Sequence, residues 1–182
     1  MVDPEFTLLG DAIWLDFVNT ARGRVPAPPD LLPDPAALDR WAIAQDLEPP
    51  NGDGPVLKQV LTFRERLSAL AEALHAGIQA PSASIVAINE QLSRSGGVHQ
   101  LTRVGGEWQL RFSPARRPAM LEAIAQSAAV CLADPLRFVR RCAGESCSLF
   151  FMDDSPNQGR RWCNATICGG QVKVERRRGL LR

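Results

Sequence analysis

Four cysteines in the last quarter of the chain form two like pairs, Cys142-Ala-Gly-Glu-Ser-Cys147 and Cys163-Asn-Ala-Thr-Ile-Cys168, with fifteen residues between them. Each pair closes a short loop that turns two sulfurs toward one ion. The spacer lets the pairs converge, as a tetrahedral four-thiolate site requires. Zinc suits that donor set best, because it prefers four ligands and brings no redox chemistry. Two other readings stay open at this point: a pair of disulfides, or four separate buried thiols. With sulfur in all four positions no place is left for a catalytic water, so the expectation is one structural Zn2+ and not a hydrolytic centre. The fifth cysteine, Cys131, falls on an apolar helix face and reads as a core residue.

Cations crowd the same region. Arg137, Arg140 and Arg141 precede the first pair, Arg160 and Arg161 precede the second, and Lys173, Arg176, Arg177 and Arg178 follow it. On a helix after Cys168, Lys173, Arg176 and Arg177 share one face. Forks on a metal-stiffened scaffold match phosphate oxygens, so Arg140, Arg141, Arg160, Arg161, Lys173, Arg176, Arg177 and Arg178 are the candidate nucleic-acid contacts. The competing readings are docking of an acidic partner surface and plain solvation.

The elements that must carry these groups follow from the rest of the chain. It has 182 residues, 45% of them hydrophobic, and a net charge of +1. That balance hides a division: residues 1–136 hold eleven Lys+Arg against sixteen Asp+Glu, and residues 137–182 hold ten against four. The length fits one domain, or one domain with a small appendage. The longest wholly apolar run, residues 128–133, is far below the ~20 residues that span a bilayer, so no membrane partner is expected. No basic start with an apolar run opens the chain, so an intracellular, reduced setting is expected.

Residues 6–9 and 12–18 read as two β-prone runs around a turn at Gly10-Asp11. Asp34-Pro35 is a helix start, with Asp as cap and Pro at the first helical position. After Pro55, Val56, Val60, Phe63, Leu67, Leu70, Leu74 and Ile78 recur at helical steps and form one apolar stripe, with Arg64, Glu65 and Glu72 on the solvated side. Ser84 reads as the cap of the next helix. Residues 98–104 and 107–112 flank Gly105-Gly106 as a two-residue hairpin, and a helix over residues 117–133 stops at Asp134-Pro135. In the tail, residues 148–152 are strand-prone and residues 153–159 are rich in turn formers, so the order is knuckle, hairpin, knuckle, helix. Gly169-Gly170 delays the start of that helix until after Gly170. The fold expected is α+β: a mainly helical N-terminal domain with small antiparallel hairpins over residues 1–136, and a treble-clef-like four-cysteine finger over residues 137–182. So small a segment needs the metal to fold.

Two stretches carry a family resemblance. Arg140-Arg141-Cys142, Cys147, Leu149-Phe150-Phe151-Met152-Asp153, Arg160-Arg161-Trp162-Cys163 and Cys168-Gly169 resemble the CGNR zinc-finger family. Leu15-Asp16-Phe17-Val18-Asn19-Thr20, with Asp34-Pro35, Leu38 and Trp41, resembles the ABATE domain that precedes that finger. The resemblance implies a stress-response transcription regulator whose finger binds DNA (RNA being the other candidate), in a cytoplasmic, bacterial-type protein. The sequence departs from the family pattern at Gly170-Gln171, where the name-giving Asn-Arg would stand. One charged contact at the finger's helix start is thereby lost.

In the N-terminal domain Asp16, Asn19 and Arg22 are candidates for a small-ligand site; the alternative is that Asp16 and Asn19 bond turn backbone. No effector is identifiable. The two histidines, His75 and His99, lie far apart in sequence, and no nucleophile-elbow, dinucleotide or P-loop motif accompanies them, so no enzymatic activity is expected. The leading expectation is regulation by nucleic-acid binding, with a homodimer as a candidate assembly. Its rival is a structural zinc module that makes protein contacts and binds no nucleic acid.

Overall fold

In a computed structural model of the chain, residues 6–23, 30–50 and 54–170 are described. Lys173, Arg176, Arg177 and Arg178 lie outside these residues, as do residues 24–29 before Asp34. The elements run α1 (Ile13–Asn19), α2 (Pro35–Ala44), α3 (Gly54–His75), α4 (Ser82–Leu92), β1 (Gly97–Val104), β2 (Glu107–Pro114), α5 (Met120–Ala133), β3 (Phe138–Arg141) and β4 (Phe150–Asp153). The strands form two separate antiparallel pairs, β1–β2 and β3–β4. The fold is α+β: a helical body, two small hairpins, and a four-cysteine cluster at the C-terminal end.

Helix α1 lies at the centre, and it corrects the β-strand expectation for residues 12–18. Trp14, Leu15, Asp16, Phe17, Val18 and Asn19 are all buried. A short element buried all round shows no periodicity, so sequence cannot tell it from a buried strand. Phe17 meets Trp41 of α2 at 5.2 Å and Phe63 of α3 at 6.5 Å between ring centroids. Each large side chain so buried stabilises by about 1.5–3 kcal/mol.

Helix α2 starts as its sequence dictates. Asp34 is extended and its carboxylate accepts the Ala37 N–H at 2.8 Å, with Pro35 in the first turn. The α3 stripe is buried from Val60 to Leu70, but Ile78 lies beyond the helix and is exposed. Gly77, at φ 67°, ends α3: its N–H bonds the Leu74 carbonyl, and the Ile78 N–H bonds that of Ala73. Arg64 is not on a solvated face. It is 6% exposed, its guanidinium pairs with Asp30, and it donates to Thr20 Oγ at 2.8 Å. That pairing joins α3 to the loop before α2, a partner too distant in sequence to anticipate.

Ser84 does not cap α4. Pro81 precedes the helix, and the buried Ser84 hydroxyl donates to the Arg66 carbonyl at 2.7 Å, tying α4 to α3. Between β1 and β2, Gly105 and Gly106 have φ 59° and 94°, the left-handed pair a tight hairpin turn needs. Helix α5 begins at Met120, three residues after Arg117, since Pro118 and Ala119 form its entry. The partner of β4 also differs from expectation. It pairs with β3, ahead of the first cysteine, and not with the return through Arg160–Trp162.

Candidate metal centre

The metal centre is built on the β3–β4 hairpin. Arg140 pairs with Phe151 and Arg141 with Phe150, so alternate side chains point to opposite faces. Val139, Phe150 and Met152 enter the helical core, while Phe151 and the neighbouring Leu149 pack against the cysteines. Cys131 sits in the helical core 3.8 Å from the Met152 sulfur, away from the four-cysteine cluster. Burial pushes its thiol up to about 11.

Helix α1 grips β4 directly. Asn19 Nδ2 donates to the Phe150 carbonyl at 2.8 Å, and the Phe150 N–H donates to Asn19 Oδ1 at 2.9 Å. The Met152 N–H donates to the Gly10 carbonyl at 2.9 Å, and the Ser148 N–H to that of Gly23 at 2.9 Å. The strand edge that β3 leaves open is thus satisfied by the N-terminal segment.

Cys142, Cys147, Cys163 and Cys168 converge, all four sulfurs lying within 4.8 Å of one another. Cys147 and Cys163 are 3.8 Å apart, and Cys163 and Cys168 3.7 Å. A tetrahedron with Zn–S bonds of ~2.3 Å has S···S edges of about 3.8 Å, so the spacing fits zinc. The site is closed. All four cysteines are buried, and a Cβ on Gly144 would come within 3.3 Å of Cys168 Cβ, so the first loop packs tightly against the second pair. The Cys163 N–H points at Cys142 Sγ at 3.4 Å. Hydrogen bonds from Cys147 and Cys163 draw the Cys142 thiol below its ordinary range. The same bonds raise Cys163, and Cys147 rises to about 11, chiefly through its bond to Cys142. Cys142, Cys147 and Cys163 thus compete for charge, and a dication among the sulfurs resolves the conflict by replacing protons. The residues hold one structural zinc.

The second pair leads into a wide helical turn, Ala165–Gly169, earlier than its glycines suggested. Asn164 starts it, its side-chain oxygen accepting the Thr166 and Ile167 N–H groups, each at 3.0 Å. Trp162 packs on the cysteine cluster, with Gly169 beneath its ring.

The described arginines divide in two. Arg160 folds inward: Nε donates to the Trp162 carbonyl at 3.0 Å, a terminal nitrogen donates to the Cys163 carbonyl, and the other pairs with Asp11. Its fork lies 4.5 Å over the Phe151 ring. Arg140 Nε pairs with Asp153 at 3.1 Å, and another of its nitrogens donates to the Gln158 carbonyl at 2.6 Å. Asp153 is wholly buried. Burial pushes its carboxyl up, but donors from Ser155, Arg140 and Arg160 outweigh that and hold it below the usual range. Arg141 and Arg161 are exposed, and neither meets a carboxylate among the described residues; Arg161 lies 5.4 Å over Trp162. The Ala143 N–H donates to the Arg161 carbonyl at 2.8 Å, so the segments that carry these two forks run side by side.

The three N-terminal candidates face structural partners. Asp16 Oδ1 accepts the Gly10 N–H at 2.7 Å, and burial pushes its carboxyl up to about 6. Asn19 is spent on Phe150. Arg22 donates to Ser68 and Glu72, both at 2.9 Å, and its fork stacks 4.5 Å from the Phe150 ring. Each is taken up by these partners, and together they fasten α1 and its flanks to α3 and β4.

Comparison with known families agrees with this geometry. Residues 11–135 match the ABATE family model, described as "putative stress-induced transcription regulator", and residues 139–179 match the CGNR zinc finger. No curated protein matches the chain. Among the described residues no helix is long and apolar enough to cross a membrane.

Proposed function

The chain belongs to the ABATE family and carries a CGNR zinc finger, and from that premise we propose that it regulates transcription, without enzymatic activity, by binding DNA through the basic surface of the finger. The observation that carries the reading is the placement of Arg141 and Arg161. Both are exposed and free of carboxylates among the described residues, and they stand on adjacent segments stiffened by the four-cysteine site. Arg140 and Arg160 serve the scaffold and make no phosphate contact. The phosphate-binding set is therefore Arg141, Arg161, Lys173, Arg176, Arg177 and Arg178. The zinc does no chemistry; it fixes where the forks stand.

A salt titration of duplex DNA binding by the zinc-loaded chain tests this. Six phosphate contacts give a slope of log K against log salt near −5. Arg141→Ala and Arg161→Ala each reduce that slope by about one. Arg140→Ala and Arg160→Ala lower the melting temperature and leave the slope unchanged. Binding indifferent to salt, or none at all, defeats the proposal.

A further inference from the structure

The β1–β2 hairpin is exposed along nearly its whole length, and its two faces differ in character. The register pairs Leu101 with Leu110, Arg103 with Trp108 and His99 with Phe112, so these six side chains share one face. Leu101, Trp108 and Leu110 are each 67% exposed, and Phe112 is 47% exposed. The opposite face carries Gln100, Thr102, Gln109 and Arg111 between the valines at its ends. Arg103 is the one cation on the apolar face, and it leans over the Trp108 ring at 5.9 Å. A face with a single cation has little to offer a phosphate backbone. Two strands with an uncovered apolar face are marginal in water on their own.

We propose that this face binds the same face of a second copy of the chain, making a homodimer through a four-stranded sandwich of two hairpins. A two-fold axis through the middle of the hairpin sets Leu101 and Leu110 against their own counterparts, which is how an isologous interface closes. Facing sheets pack ~10 Å apart, a gap that leucine and aromatic side chains fill. The four apolar side chains offer roughly 500–600 Å² per copy, below the ~800 Å² of a standard interface, so the dimer is a weak one in the micromolar range. The helical core uses none of Leu101, Trp108, Leu110 and Phe112. Pairing thus changes assembly and leaves the fold as it is.

Sedimentation equilibrium of the full zinc-loaded chain, from ~1 to ~200 µM, tests the interface. The wild type is expected to rise from monomer toward dimer across that range. The double variant L101E/L110E stays monomeric, and Q100E/Q109E, on the other face of the same strands, follows the wild type. Circular dichroism melts of both variants match the wild type at the lowest concentration, because the hairpin supports no core. A wild type still monomeric at the top of the range, a dimer that survives L101E/L110E, or its loss in Q100E/Q109E overturns the proposal.

Discussion

The two hairpins obey one pairing rule and end in opposite situations. Strands β1 and β2 pair over eight positions and stay exposed, while β3 and β4 pair over four and β4 is buried throughout. Length therefore does not decide which ribbon becomes structural. What decides is cover. The short hairpin lies between the helical body and the cysteines, and each face serves a different core. The long one has a well-formed turn and good cross-strand partners, yet its apolar face stays exposed and no described residue of the helical core lies over it. A metal can act through the first kind of hairpin on the whole body; the second is free to act on other molecules.

The largest effect expected from breaking this arrangement is loss of the metal. Cys163→Ser removes one of four ligands, and elemental analysis should find stoichiometric zinc in the wild type and none in the variant. Small fingers draw about 10–16 kcal/mol from zinc, and here the loss is expected to reach several kcal/mol at least. The effect should not stop at the finger. Phe150, Met152 and Val139 belong to the same core as Trp14 and Trp41, so the near-ultraviolet signal of those tryptophans should be lost in the same, earlier melting transition. Helices that melt unchanged after zinc is removed would show that the hairpin does not couple the two regions.

A matched pair of truncations sharpens the contrast. Phe150→Ala empties a fully buried site and should cost about 3–5 kcal/mol. Leu110→Ala removes a side chain that is 67% exposed and should change the stability of the monomer by less than ~0.5 kcal/mol. Urea unfolding at about 1 µM, where the weak dimer contributes little, compares them. Equal costs would mean that the long hairpin is covered after all.

Much of this arrangement was legible in local sequence. Cysteine spacing located the metal, Gly105-Gly106 the tight turn, and Asp34-Pro35 the start of α2. In each, neighbouring residues dictate the geometry. What escaped depends on partners distant along the chain. Arg64 reads as surface on its own helix and is buried because Asp30 and Thr20 meet it. Arg140 and Arg160 look like their neighbours Arg141 and Arg161, and only the folded position of Asp153, Asp11 and the knuckle carbonyls separates them. Asn19 carries no local mark of its role, since the backbone it clasps lies 131 residues away. Helix α1 misled for a further reason: burial on every side erases the periodicity that distinguishes helix from strand.

A further expected effect, smaller than the loss of the metal or of the Phe150 ring, concerns the edge of β4, and it depends on pH. Asp16 accepts the Gly10 N–H, and the Gly10 carbonyl in turn accepts the Met152 N–H, so this carboxyl steadies the segment that covers the short hairpin. Its folded pKa is about 6, against 3.8 for the free group, with burial as the main cause. A carboxyl pKa raised by folding means that the folded state holds the proton more tightly than the unfolded one. Stability from this group is therefore complete below ~4, declines as pH rises to ~6, and is flat above. A shift of about two units corresponds to roughly 3 kcal/mol as an upper figure. Asp16→Asn keeps an oxygen for the Gly10 N–H and removes the charge. The variant should gain about 1–3 kcal/mol over the wild type at pH 8, and less at pH 5, in urea unfolding of zinc-saturated protein. Parallel profiles for the two proteins would mean that the Asp16 charge carries no burial penalty.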